Sequence, residues 1–400
     1  MSISNINQEA LEFFNKNGFP HQKNEFWRHT NLKKFQSLKF SKSNSFDYPK
    51  ADIDNFYSLD IPTITIVNGK IISSPKSKEI DLLSNKLQDC SNIIYDSFSI
   101  QDSESAANNP FLVLNAAYFS DGIYLKMNQN FDNVLIRIIS NSSSKKIESS
   151  YSRIYIDVDK NSDSKIFLHH IGLKQDASYY KNNVLSVNTN QNSNVSILNI
   201  HEESSKSYSM NNIILNQSRD SNIKQSSIYL SSGFMRTDIK NNLNEKGSSS
   251  LIDGLFLGKD NQFIDNNIII NHNIEKTYSK VLYKGILDDR SHAVFNGLVN
   301  VPFKSKEINS DQKNHNILLS KSAKINSNPK LKISCDDVKC SHGSTIGNLD
   351  SEALFYLRSR GIDSVKSKKI LLNSFIGEII NNIPFDGTVD YINSRLDKLI

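Results

Sequence analysis

Cys340 and His342 are the residues of this chain best placed to do chemistry. They stand two apart in Cys335-Asp336-Asp337-Val338-Lys339-Cys340-Ser341-His342-Gly343. On a β-strand, residues two apart share one face about 7 Å apart at Cα, so a thiol and an imidazole can converge on one ion. A thiolate with an imidazole suits zinc or iron–sulfur chemistry. Two ligands do not close a four-coordinate site, so distant residues or another subunit must complete it. Read instead as a nucleophile and its activating base, the pair needs an oxyanion hole and a pocket that the sequence does not reveal. Metal ligation, nucleophile and structural thiol all remain open at this point. Cys335 alternates with Leu331 and Ile333 and reads as a small core residue.

Other candidates are weaker. His201-Glu202-Glu203 resembles half of a metal motif but lacks a second histidine, and reads as a solvated strand end. His169 and His170 sit at another strand end and point to opposite faces, so they do not grip one metal together. The chain has no G-x-x-x-x-G-K-[ST], no G-x-G-x-x-G at a strand-to-helix junction, no G-x-S-x-G and no H-E-x-x-H. Nucleotide chemistry, if there is any, must come from elsewhere.

The elements that position these residues fall into three regions. Helical signals are confined to the ends. Gln8 to Asn17 reads as a short helix stopped by Gly18-Phe19-Pro20, and Asn109-Pro110-Phe111 to Tyr118 precedes the turn Asp121-Gly122. From about Phe131 to Cys340 the pattern is short runs of β-formers bounded by Asn, Ser, Asp or Gly, such as 134–139, 153–158, 164–169, 194–200, 227–230, 267–270 and 280–286. Two architectures fit: a sandwich or barrel, and a parallel β-solenoid. Only 38% of the 400 residues are apolar and more than a quarter are Asn or Ser. That composition favours the solenoid, whose rungs share one continuous core and whose turns use Asn and Ser, although no strict short repeat is visible. After Cys340, Asp350 and Asp363 can cap two helices, and a third starts near Thr388; the simplest role for this module is a cap over the open end of the β region.

Charge and cysteine content set limits. The formal net charge is +5, with no basic run of the kind found in nucleic-acid arms. The N-terminus lacks the basic and apolar regions of a signal peptide, and no apolar run approaches the roughly 18 residues of a membrane span. The three cysteines, Cys90, Cys335 and Cys340, are too few and odd in number for a disulfide framework and fit a reducing compartment. A cytoplasmic protein is expected.

Against this background the residues resemble a known family. The segment Asn316-Ile-Leu-Leu-Ser320, Ala323, Asn328-Pro329-Lys330-Leu331, Asp336 to Gly343, Gly347, Leu349-Asp350 and Phe355-Tyr-Leu-Arg-Ser-Arg-Gly-Ile362 closely resembles the SufB/SufD family of iron–sulfur cluster assembly proteins. Lys23-Asn-Glu-Phe-Trp-Arg-His-Thr30 and Asn109-Pro-Phe111 with Leu114-Asn115 agree with it, and the Cys-Ser-His-Gly form is similar to the SufD branch. The N-terminal cysteine cluster of many SufB proteins is missing.

The resemblance implies a mainly β fold: an N-terminal mixed α/β region (1–125), a right-handed parallel β-helix (126–345) and a C-terminal helical domain (346–400). It implies a non-catalytic scaffold that pairs with a SufB-like paralogue through the ends of the β-helices, or forms a homodimer in its absence. A SufC-like ABC ATPase supplies ATP hydrolysis and binds the helical domain, where Leu372, Phe375, Ile376 and Ile379 are the expected contact. A transient iron–sulfur cluster is expected at the subunit interface, with His342 and Cys340 as its metal ligands on this side and the partner chain supplying the rest. No cofactor is expected on the isolated chain. The alternatives are a SufB-like scaffold, a stand-alone metal or thiol enzyme built on Cys340 and His342, and a carbohydrate-active solenoid, which would need paired carboxylates and usually export.

Overall fold

A computed structural model describes residues 2–399 apart from 22, 44–45, 49–55, 57–58, 88–108, 143–145 and 386. Cys90 lies outside the described residues. The lead-in contains α1 (Ile3–Asn17), α2 (Lys33–Gln36), β1 (Phe40–Lys42), β2 (Thr63–Val67), β3 (Lys70–Ser73), β4 (Ile80–Leu82), α3 (Pro110–Tyr118) and β5 (Ile123–Met127). Both expected helices are present. Gly18 ends α1 at φ 64, and the Asn109 side chain caps α3.

Fifteen strands then follow without an intervening helix. They are β6 (Asn133–Ser140), β7 (Ile147–Val158), β8 (Asp163–Gly172), β9 (Tyr179–Thr189), β10 (Asn194–Glu202), β11 (Tyr208–Gln217), β12 (Asn222–Ser231) and β13 (Phe234–Leu243). The series ends with β14 (Ser249–Gly258), β15 (Phe263–His272), β16 (Tyr278–Leu287), β17 (His292–Val301), β18 (Ile308–Leu318), β19 (Lys324–Ile333) and β20 (Val338–Gly347). From β5 onward each strand pairs in parallel with the strand two further along, so odd strands build one sheet and even strands the other. This is a parallel β-solenoid, in which each rung contributes one strand to each sheet.

The Asn-rich composition has two physical causes. Corners between sheets need residues in the left-handed region, and Asn161, Asn192, Asp220, Asp260 and Asp289 all have φ between 49° and 57°. Asn and Asp reach that region at least cost among residues with a Cβ. Equivalent asparagines also bond from rung to rung. Asn216 donates to Asn188, Asn242 to Asn216 and Asn271 to Asn242, each at 2.8 Å, and Asn300 donates to Asn271 at 3.4 Å. A carboxamide both donates and accepts, so such a ladder runs as long as the rungs do.

Between the sheets lies the main core, including Ile136, Leu168, Ile197, Ile213, Ile252, Ile268, Val281 and Val299. The two outer faces are covered differently. Trp27, Phe35 and Phe111 of the lead-in pack with Tyr180 and Met210 on the odd sheet. The Arg236 guanidinium lies 3.7 Å from the Trp27 ring centroid, bonds Asp238 and Asp265, and donates to the Phe26 carbonyl. Thr30 donates to the same Asp265 at 2.5 Å. The segment Lys23–Thr30 is therefore a docking strap on the solenoid.

The C-terminal helices α4 (Ser351–Ser359), α5 (Ser364–Ile380) and α6 (Thr388–Leu399) begin and end close to the expected positions, with Asp350 and Asp363 as N-caps. Their location differs from the expected cap over the end of the β region. Leu372, Ile376, Ile379 and Ile380 of α5, with Ile392 and Leu396 of α6, pack on the outer face of the even sheet against side chains such as Leu198, Ile200, Ile228 and Leu255. That face carries apolar residues where a solvated strand would alternate to polar, so it needs a cover along its length.

The two ends of the solenoid are unlike. Antiparallel β3 and β4 close the first rungs. At the other end β19 and β20 are the terminal strands of their sheets, and no described element pairs with their free edges.

Candidate functional site

The last rung carries the Cys-Ser-His-Gly segment. In β18, Ser310, Gln312, Asn314 and Asn316 are buried and face inward. The parallel register places Cys340, His342, Ser344 and Ile346 directly over them, so Cys340 and His342 share the inward face of β20, as their spacing predicts. The outward residue between them, Ser341, donates to Asp311 at 2.6 Å. Inside the mouth, Ser344 donates to Ser327 of β19 at 2.8 Å.

Without a following rung these inward residues are uncovered. Cys340 is half-buried against the main core, His342 is exposed, and Ile346 is 51% exposed. Burial raises the Cys340 thiol above its ordinary value, which is the wrong direction for an activated nucleophile. Cys335 is half-buried against the same core. Among the described residues, the group of three or more metal-type side chains that come together lies elsewhere, so this chain does not close a site around Cys340 and His342 by itself.

That other group corrects the reading of His201-Glu202-Glu203 as a solvated strand end. His201 and Glu203 are fully buried, and register pairs His170 of β8 with His201 of β10. Their rings stack at 4.1 Å. Lys181 of β9 bridges His170 and Glu203, donating to His170 Nδ1 at 2.9 Å and to Glu203 Oε1. Glu203 also accepts from Ser209 at 3.0 Å, from the Tyr179 hydroxyl at 3.1 Å and from His201 Nδ1 at 3.4 Å. Burial alone would raise the Glu203 carboxyl, but Lys181 and His201 outweigh it and hold it at about 2. Burial lowers His201 to about 4, so its ring is neutral at pH 7. The ammonium of Lys181 already fills this donor set, which makes it an internal ion-pair network.

His169 does point away from His170, as expected. Its Nε2 donates to Glu202 Oε2 at 2.8 Å, outside the even sheet. The same carboxylate accepts from the Tyr391 hydroxyl and from Arg395 Nε, the latter at 2.8 Å, both on α6. Adjacent residues 201, 202 and 203 thus serve the interior, the helical module and the interior in turn. Sequence reasoning missed this because the partners lie one rung away; the available signal was the offset of about one rung between His170 and His201.

The expected ATPase-contact residues are placed otherwise than anticipated. Leu372, Ile376 and Ile379 are buried within the chain, and Phe375 is half-buried beside the Lys284 ammonium. An apolar helix face shows that something covers it without showing what, and here the solenoid does. The module instead exposes Phe355 (73%), Tyr356 (58%), Val365 (66%) and Ile370 (45%) on α4 and α5.

Comparison with known proteins matches residues 138–375 to the SUF system FeS cluster assembly SufBD core domain, and residues 1–135 to the SufBD protein N-terminal region. The iron–sulfur cluster assembly protein SufD of Escherichia coli is 25% identical over 98% of this chain and 92% of its own length. An iron–sulfur cluster assembly SufBD family protein of Synechocystis is 24% identical over 96% of this chain and 88% of its own. The Bacillus subtilis SufD protein matches a shorter stretch, 24% identical over 46% of this chain.

Proposed function

The chain belongs to the SufBD family of iron–sulfur cluster assembly proteins, and from that premise we propose that it is the SufD-like scaffold subunit, pairing the open end of its solenoid with a SufB-like chain. The observation that carries this reading is the unfinished last rung. Among the described residues the core cross-section there is uncovered and bounded by two unpaired strand edges, which makes it a binding surface suited to another chain. Its inward face presents Cys340 and His342 at the place where a partner rung would stack.

In this reading the nascent cluster is cargo held between subunits, with His342 as the principal ligand from this side and Cys340 beside it. The partner supplies the remaining ligands that two residues cannot. The chain itself is non-catalytic, and a SufC-like ATPase supplies the ATP hydrolysis that drives the cycle. Its contact on this chain is the exposed apolar group Phe355, Tyr356, Val365 and Ile370, which replaces the buried Leu372, Ile376 and Ile379 as the docking face. No described helix is long and apolar enough to cross a membrane.

The test is affinity isolation of the full chain at native expression. A SufB-like chain and an ABC-type ATPase should co-purify, and Phe355→Ser with Val365→Ser should lose the ATPase while keeping the SufB-like chain. Recovery of the chain as a free monomer containing stoichiometric zinc would overturn the scaffold reading.

A further inference from the structure

The inward side chains of β18 form the floor of the open end, one rung beneath the Cys-Ser-His-Gly segment. Ser310 bonds Ser279 at 2.8 Å. Asn316 donates to Asn314 at 2.7 Å, and Asn314 also accepts from Ser327 at 2.7 Å. Gln312 differs from these neighbours. It is fully buried, yet neither its carboxamide oxygen nor its nitrogen has a hydrogen-bond partner among the described residues.

Its surroundings make room for the carboxamide without bonding it. In register Gln312 follows Ile252 of β14 and Val281 of β16, so an apolar column turns polar one rung before the end. Across the interior the carboxamide lies against Gly297 of β17, where a Cβ would clash with it. Burying an amide with no partner costs stability, and an apolar side chain of similar shape would avoid that cost. An unmatched buried polar group therefore points to a bond made outside the free chain's own packing.

His342 is the next residue of the column, directly over Gln312 at the strand spacing of about 4.8 Å. It is exposed and likewise has no hydrogen-bond partner among the described residues. An imidazole that binds metal through one nitrogen is oriented by the bond its other N–H makes, usually to a carboxylate or carbonyl oxygen. Asp311 is beside Gln312 on β18 but is engaged by Ser341 at 2.6 Å and Lys313 at 2.9 Å. Ser344 is engaged with Ser327. The Gln312 oxygen is free and lies in line beneath the ring.

We propose that Gln312 is a positioning residue for His342, whose Nδ1–H donates to the Gln312 carboxamide oxygen and thereby turns the Nε2 lone pair toward the partner chain and its iron. The two side chains are not bonded in the free chain, so the bond forms as Nε2 takes up iron. This rests on the reading of His342 as a cluster ligand and adds the group that aims it.

The experiment reconstitutes the full chain with the SufB-like chain and the SufC-like ATPase, supplying ferrous iron, sulfide and ATP. Visible absorption follows the rate of cluster formation, and pulsed EPR of the reduced cluster reads the nitrogen coupling of the bound imidazole. Thermal unfolding provides the folding control. Gln312→Met, of similar shape but without the acceptor, should unfold at a midpoint no lower than wild type and still assemble the complex. It should slow cluster formation about tenfold and alter the nitrogen coupling, and Gln312→Glu, which restores an acceptor oxygen, should recover both. An unchanged rate or coupling in Gln312→Met, or a lowered midpoint, overturns the positioning role and leaves His342 as a ligand. Absence of nitrogen coupling in wild type, or its persistence in His342→Ala, overturns the ligand reading itself.

Discussion

Glu202 on β10 and Arg395 on α6 are joined at 2.8 Å, and the same carboxylate holds Tyr391 and His169. One side chain thereby fastens the helical module to the solenoid, beside an apolar interface centred on Leu372, Ile376 and Ile379. Glu202 is only 11% exposed at its side chain, so the pair is shielded from water more than a surface salt bridge.

A double-mutant cycle checks this latch. Glu202→Gln and Arg395→Ala should show a coupling of about 1–2 kcal/mol in urea unfolding, as for a charge-assisted bond at a partly buried site. Strict additivity of the two substitutions would show that the contact contributes no coupling.

The interior network makes a stronger demand. Lys181→Met removes the ammonium that balances Glu203 and leaves a carboxylate buried, which should cost about 3–5 kcal/mol. Adding Glu203→Leu should recover part of that loss, because the unpaired charge is then gone as well. A single Lys181→Met variant with wild-type stability would contradict the ion-pair assignment.

Stability should fall on acidification, and the sign follows from four groups. Burial holds His201 and His272 at about 4 in the folded chain, below the ordinary value near 6.5. The unfolded chain therefore takes up protons first as pH drops from about 6.5 to about 4, and folding loses stability across that window. Glu203, held at about 2, adds a loss as pH falls from about 4.5 toward 2. Asp253 works in the opposite sense: burial raises it to about 6, so protonation relieves it between about pH 6 and 4. Two histidines outweigh one aspartate, and the net effect is a decline of order a few kcal/mol by pH 4. Urea midpoints measured from pH 7 to pH 4 test this; a midpoint that rises throughout would refute it.

Much of the architecture was legible because local chemistry announces it. Asp350, Asp363 and Gly18 mark helix ends whatever lies around them, and runs such as Val134–Ile139 are strands in any β fold. The common face of Cys340 and His342 follows from the two-residue period of a strand. The solenoid repeat was harder to see because its length varies: the asparagine ladder steps by 28, 26, 29 and 29 residues. Contacts created by that stacking were hidden for the same reason. His170, Lys181, His201 and Glu203 meet only once β8, β9 and β10 are wound into successive turns. The burial of Leu372, Ile376 and Ile379 was misassigned because helical periodicity identifies an apolar face and is silent about what covers it.

The central claim concerns His342, an exposed residue whose loss should change stability by no more than about 0.5 kcal/mol. The most direct test is reconstitution of His342→Ala with the SufB-like chain and the SufC-like ATPase, reading complex formation by sedimentation and cluster formation by visible absorption and iron content. The complex should assemble as in wild type while cluster yield falls to background. A normal cluster yield from an intact His342→Ala complex would contradict the assignment.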